Sequence, residues 1–248
     1  MTHRAIARWT LGAALAFALP ARAGTPPAAA APHADAPIDC PLHAKQVDPS
    51  SLRPFAETEK WIQFLEKPER AAWQKPDEVV AAMGLAGAET LVDVGAGSGY
   101  FAFRFSKVLP RGKVIATDVD PEMVRHMHRK VMTEHVGNVT VVLASPDDPS
   151  IDPAADVVFV CNVIHHVEQR EAWLRRAFAE MRPGARLVVL EFKDGKLPEG
   201  PPEAAKIPTA RLVEMLRHAG FAPVADRPDL LPYQTFLTFA KPGASVQR

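Results

Sequence analysis

The chain has 248 residues, 47% of them hydrophobic and 23% charged, with 29 basic against 29 acidic side chains. That is ordinary globular composition with apolar material for one substantial core, and its balanced charge argues against nucleic-acid partners. Two cysteines, Cys40 and Cys161, make no disulfide framework.

Residues 1–23 stand apart. Arg4 and Arg8 precede the apolar run Leu11 to Leu19, and Ala21-Arg22-Ala23 follows Pro20. A positive start, a short apolar stretch and an Ala-x-Ala site are the marks of a secretory signal, here cut after Ala23. The apolar run is too short to remain as a bilayer anchor. The expected location is therefore outside the cytosol, in the periplasm. The other reading is an alanine-rich tail with no address. The segment carries three arginines and no acid, so its removal leaves 26 basic against 29 acidic residues. Such a surface does not recruit phosphate backbones.

Residues 24–54, rich in alanine and proline without periodicity, read as a flexible linker. From Phe55 the pattern turns helical. Trp61, Phe64 and Leu65 share a face, Pro68-Glu69-Arg70 restarts a helix through Trp73, and Pro76-Asp77 opens another that runs out near Gly84. Residues 55–84 are thus a small helical cap before the main domain, 85–241; residues 242–248 form a tail.

Beyond the cap, strands and helices alternate. Apolar strands are expected near 90–94, 113–118, 138–143, 156–161 and 186–192, with helices near 99–109, 121–135 and 169–182. This rhythm predicts right-handed crossovers and a parallel sheet covered on both faces. A helix from Pro208 to Ala219 then precedes strands at 221–226 and 233–240, with no helix between these two. They read as a hairpin, which makes the last strand antiparallel. The expected fold class is α/β, a Rossmann-like doubly wound sheet of seven mostly parallel strands, preceded by the cap.

The segment Val92-Asp93-Val94-Gly95-Ala96-Gly97-Ser98-Gly99-Tyr100 carries the chemistry. An apolar strand that turns on glycines into a helix brings backbone N–H groups and the helix start close to a ligand. A dinucleotide site wants Gly-x-Gly-x-x-Gly, which would need glycine at Tyr100. A second acid, Asp118, ends the strand Lys113 to Thr117, nineteen residues after Gly99. An acid there can accept hydrogen bonds from ribose hydroxyls.

With Asp-x-Gly-x-Gly-x-Gly and Asp118 in register, the chain resembles the class I S-adenosylmethionine-dependent methyltransferases over roughly residues 75–240. Within that class it is distantly similar to the ubiquinone and menaquinone C-methyltransferases. The resemblance implies S-adenosylmethionine as methyl donor and a seven-stranded sheet. It also implies a cofactor site of Asp93, Gly95, Ala96, Gly97, Gly99 and Tyr100 after the first strand, and of Asp118 with Val119 after the second. Many relatives carry an acid after the third strand for the adenine amino group. Ser145 stands at its commonest position here, so Asp147 or Asp148 must substitute, unless Pro146-Asp147-Asp148 is a surface turn. Asn162 sits where the family's chain passes the methionine end.

Methyl transfer needs a general base only if the acceptor keeps its proton. His165 and His166 are the candidates; the other reading is a packed or helix-capping role. Tyr100, Trp73 and Phe64 form either an aromatic wall beside the sulfonium or plain core. Residues 193–202 read as a lid or a linker. No metal site is expected, since His126 and His128 point to different sides of their helix and His135 has no partner at zinc spacing. The Asn-Pro-Pro-aromatic tetrad of amino-methylating enzymes is absent, as are a Pro-Cys nucleophile and a thiolate trio. The expected acceptor is a small molecule. The alternative function is an exported S-adenosylmethionine-binding module without turnover.

Overall fold

The structure is a computed structural model that describes residues 55–243. The expected signal segment, the linker, Cys40 and the last five residues of the tail lie outside the described residues.

Three short helices come first: α1 (Phe55–Leu65), α2 (Arg70–Gln74) and α3 (Pro76–Ala82). Lys75 separates the last two with φ 44°, and Pro76 suits the first turn of α3 because its missing N–H would have no partner there. The alternating part follows as β1 (Thr90–Val94), α4 (Ala102–Val108), β2 (Lys113–Asp118), α5 (Pro121–Thr133), β3 (Val139–Leu143) and β4 (Val157–Cys161). It continues with α6 (Arg170–Glu180), β5 (Arg186–Phe192), α7 (Thr209–His218), β6 (Ala222–Asp226) and β7 (Gln234–Ala240). The start of α5 shows why such boundaries are legible. Asp120 accepts the Glu122 N–H at 2.9 Å while Pro121 occupies the first helical position.

The sheet has seven strands in the order β3-β2-β1-β4-β5-β7-β6. Strands β1 to β5 pair in parallel, and β7 runs antiparallel between β5 and β6. The chain reverses its direction of travel across the sheet at β1 and β4, and ligands bind beyond the strand ends at such a point. Side-chain alternation feeds two cores. Val92, Val158 and Leu187 pack under α6 and α7, while Leu91, Phe159 and Val188 face Phe105 and Met127. Strand β6 is the exposed edge, carrying Pro223 and a register break that discourage further pairing.

The expected elements are all present, with trimmed ends. The helix expected from residue 99 begins at Ala102 because Gly99 holds φ 82°. The one expected to reach 135 stops at Thr133, and His135 turns the chain at φ 53°. Among the described residues no helix is long and apolar enough to cross a membrane.

Candidate active site

A cavity of about 590 Å³ opens beyond the ends of β1, β2 and β3, within the size range of small-molecule sites. Gly95, Asp118, Val119, Ser145, Asp147 and His166 are on its wall.

The glycine loop builds one side. Gly95 (φ 67°) lies so close to the segment after β4 that an added Cβ would sit 2.4 Å from Val163 Cγ2. At Gly99 the same addition would meet Phe103 at 2.4 Å. Glycine is required for backbone conformation and for close approach together. Gly95→Ala is therefore expected to destabilise the fold by about 2 kcal/mol and to push Val163 into the cavity. Chemical denaturation and ligand titration check both effects.

The loop's N–H groups are largely committed within the protein. Ala96 N–H donates to Thr117 O (2.9 Å), Gly99 N–H to Ala96 O (2.9 Å), and Gly97 N–H to Asp118 Oδ2 (2.7 Å). The loop thus contributes close backbone approach more than free donors, which corrects the expectation drawn from glycine spacing alone.

Asp118 is only 8% exposed. Its Oδ1 accepts the Asp120 N–H at 2.9 Å, so both oxygens are pinned by backbone and keep further lone pairs for a ligand. Burial raises its pKa, opposed by these N–H bonds. Asp93 is buried behind the loop with Oδ2 lacking any hydrogen-bond partner among the described residues. Burial, reinforced by the Asp118 charge, lifts its pKa to about 8 against the pull of Arg70. Thr117 Oγ1, on a cavity-lining residue, is likewise unpartnered. An orphaned carboxylate oxygen and an orphaned hydroxyl suit a ligand with a cationic amine and several hydroxyls. S-Adenosylmethionine has both.

After β3 the two candidate acids separate. Asp148 pairs with Arg176 (2.6 Å) and accepts the Ser150 N–H (2.7 Å), closing a turn with Ser145. Asp147 is exposed on the cavity wall and makes no side-chain hydrogen bond among the described residues. Of the two acids, it is the one whose carboxylate is not engaged by protein hydrogen bonds among the described residues. Val119, 51% exposed, is an apolar surface beside it.

The two histidines also part company. The His165 side chain is only 6% exposed, its Nδ1 2.7 Å from Glu191 Oε2, while Glu191 Oε1 accepts the N–H groups of Ile164 (2.8 Å) and His165 (3.3 Å). Glu191 fixes the turn after β4. Sequence reasoning missed it because β5 reads as an apolar run; the lone acid inside Leu187 to Phe192 was the available signal. His166 faces the cavity. Loss of water and the neighbouring His165 lower its pKa, against the attraction of Glu191, which favours a neutral imidazole able to accept a proton.

Three expected aromatics do not meet. Tyr100 is buried between the guanidinium groups of Arg70 (4.0 Å) and Arg104 (3.9 Å), so its ring faces are taken by protein cations rather than a sulfonium. Trp73 packs on Phe192 and Tyr233. Phe64 is exposed on α1 beside Trp61. No aromatic wall forms; Tyr100 and Trp73 take the packing role that was the other reading, and Tyr100, expected among the cofactor residues, lies away from the cavity that holds Asp118. Asn162 leaves β4 at φ 60°, a conformation asparagine tolerates better than most, and its Oδ1 accepts from Gln234 (2.7 Å). Within residues 193–202, Glu199 reaches Lys67 at 2.8 Å and ties that segment to the cap. Cys161 is a free thiol whose pKa burial pushes up to about 12, so it stays protonated. No cluster of three or more metal-ligating side chains occurs among the described residues.

The fold and the strand-end cavity resemble those of class I S-adenosylmethionine-dependent methyltransferase domains. Residues 92–187 match the family described as "Methyltransferase domain". The chain is distantly related to the ubiquinone/menaquinone biosynthesis C-methyltransferases UbiE. It is 34% identical to that of Pasteurella multocida over 105 residues, 41% of this chain and 39% of the relative. With the Salmonella arizonae enzyme it shares 32% over 112 residues, 44% of this chain and 45% of the relative. The chain therefore spans less than half the length of these curated relatives. A solved S-adenosylmethionine-dependent methyltransferase from Aquifex aeolicus superposes with TM-score 0.68 at 26% identity, covering 74% of this chain and 98% of that one. Human N-acetylserotonin methyltransferase, solved with S-adenosylmethionine, shares the fold at TM-score 0.62 and 18% identity, over 81% of this chain and 62% of its own.

Proposed function

We propose that this protein transfers a methyl group from S-adenosylmethionine to a small-molecule acceptor, in a compartment reached by export through residues 1–23. The observation that carries the reading is the cavity holding Gly95, Asp118, Val119 and Asp147 on one side and His166 on another. Bound S-adenosylmethionine supplies a methyl group activated by its sulfonium. Asp118 would hold ribose hydroxyls, Val119 would lie against the adenine, Asp147 would accept from its amino group, and Asp93, releasing its proton as the ligand binds, would balance positive charge at the methionine end. His166 receives a proton where the acceptor has one to lose. The cavity walls align acceptor and donor, which is most of what an in-line displacement asks of a protein. The names of the UbiE relatives make ubiquinone- and menaquinone-type rings the first acceptors to screen.

Calorimetric titration of protein lacking residues 1–23 with S-adenosylmethionine and S-adenosylhomocysteine is the test. Micromolar affinity for both, followed by a methylated product in the screen, is the expected result. Absence of binding would overturn the reading. Binding with no product from any acceptor would favour a module without turnover. Cell fractionation of the full chain, with the mature N-terminus sequenced, checks cleavage after Ala23.

A further inference from the structure

Arg70, Gln74, Gln234 and Asn162 join the cap, β7 and the end of β4 in a chain of hydrogen bonds with one direction. Arg70 Nε donates to Gln74 Oε1. Gln74 Nε2 donates to Gln234 Oε1 at 3.1 Å, and Gln234 Nε2 donates to Asn162 Oδ1 at 2.7 Å. Both glutamines have zero exposure, so water does not complete or scramble the pattern. A guanidinium can only donate. It therefore dictates that Gln74 presents oxygen to Arg70 and nitrogen to Gln234, and the same choice passes down each link. Cys161 Sγ, a neutral thiol, accepts from Gln74 at 3.1 Å and reinforces that orientation. At the far end Asn162 is partly exposed, and its Nδ2 makes no hydrogen bond among the described residues.

We propose that Arg70, Gln74 and Gln234 are positioning residues that set the Asn162 carboxamide with its N–H groups outward, as donors to a carboxylate of the bound ligand. The ligand class follows from placement and charge. Asn162 follows β4, and Val163 beside it touches Gly95, whereas Asp118, Val119 and Asp147 follow β2 and β3 on the other side of β1. The N–H groups thus serve the end of the ligand opposite its adenine. A relay that starts at a cation polarises every amide along it and strengthens the last donor toward an anion. This rests on the reading that the ligand is S-adenosylmethionine, whose amino-acid end carries the carboxylate.

Gln74→Glu reverses the relay. A carboxylate at 74 accepts from both neighbours, so Gln234 must turn to donate to it, Asn162 must turn to donate to Gln234, and Oδ1 then faces the ligand. Asn162→Asp places an oxygen outward directly. The probes are S-adenosylhomocysteine, which has the carboxylate, and 5′-methylthioadenosine, which lacks the amino-acid end. Both variants are expected to bind S-adenosylhomocysteine about 10- to 100-fold more weakly while holding 5′-methylthioadenosine within about 3-fold. Wild-type affinity for S-adenosylhomocysteine in either variant overturns the relay. Equal weakening for both probes overturns it too, because a merely structural role has no reason to distinguish them. If Gln74→Glu fails to fold, Asn162→Asp, at the partly exposed end, decides between these outcomes by itself. Failure of the wild-type protein to bind either probe would instead overturn the functional reading on which the relay rests.

Discussion

Asp118→Ala is expected to weaken S-adenosylmethionine binding by about 100-fold or more while leaving the fold close to wild-type stability. Its carboxylate holds the Gly97 and Asp120 N–H groups at 2.7 and 2.9 Å, and the proposed function assigns a ribose diol to the same oxygens. Hydrogen bonds to a charged group contribute about 1.5–3 kcal/mol each, so losing the ligand bonds alone accounts for that affinity change. The folded protein loses less. Burial raises the pKa of Asp118, so the native state holds its charged form at a cost in stability, and removing that charge offsets part of what two orphaned N–H groups lose. Calorimetry with S-adenosylmethionine and thermal unfolding, run on the same preparation, measure both. Affinity within about 3-fold of wild type would remove Asp118 from the site.

Asp93→Asn should act in the opposite sense on stability. The folded-state pKa of Asp93 stands at about 8 against an ordinary 3.8. Between those values the native state keeps a proton that the unfolded chain releases. The stability contribution is therefore fully present below about pH 4 and is lost as pH rises toward 8. Asparagine cannot ionise, so the variant is expected to be more stable than wild type at pH 8 by a few kcal/mol and to show a flatter pH profile. Asp118, shifted in the same direction, keeps part of the slope. Affinity should move against stability. Asp93 Oδ2 is a buried oxygen with no partner among the described residues, and an amide in its place cannot ionise to meet a cationic amine, about a 10-fold loss. Urea unfolding of the ligand-free protein at pH 5 and pH 8 tests the profile. Parallel profiles for wild type and variant would show that Asp93 is ionised throughout.

Much of this architecture was legible because its signals are local. A strand buried on both faces must be apolar along its length, and a helix boundary is written in residues such as Asp120-Pro121 or a glycine with positive φ. Strand 186–192 was therefore found to the residue. The antiparallel last strand followed from a gap at 227–233 too short for a crossover helix. Gly95, Asp118, Val119, Asp147 and His166 come together on one cavity because each ends or follows one of the parallel strands β1 to β4 at the same end of the sheet.

The rest depended on contacts between residues far apart in the chain. Whether Tyr100 faces a ligand or lies between Arg70 and Arg104 is decided by where the cap packs. The difference between His165 and His166 is set by Glu191, 26 residues from His165. Gln74 and Gln234 are 160 residues apart and carry no motif, yet their buried amides orient Asn162. The sequence by itself determined the order of strands and helices, the glycine turn and the acid at the end of β2, because those follow from backbone conformation and side-chain period. Only the tertiary structure decided which polar side chains are satisfied by the protein and which are left to meet a ligand. Hydrogen-bond partners are assigned by proximity in space, and proximity is what folding creates.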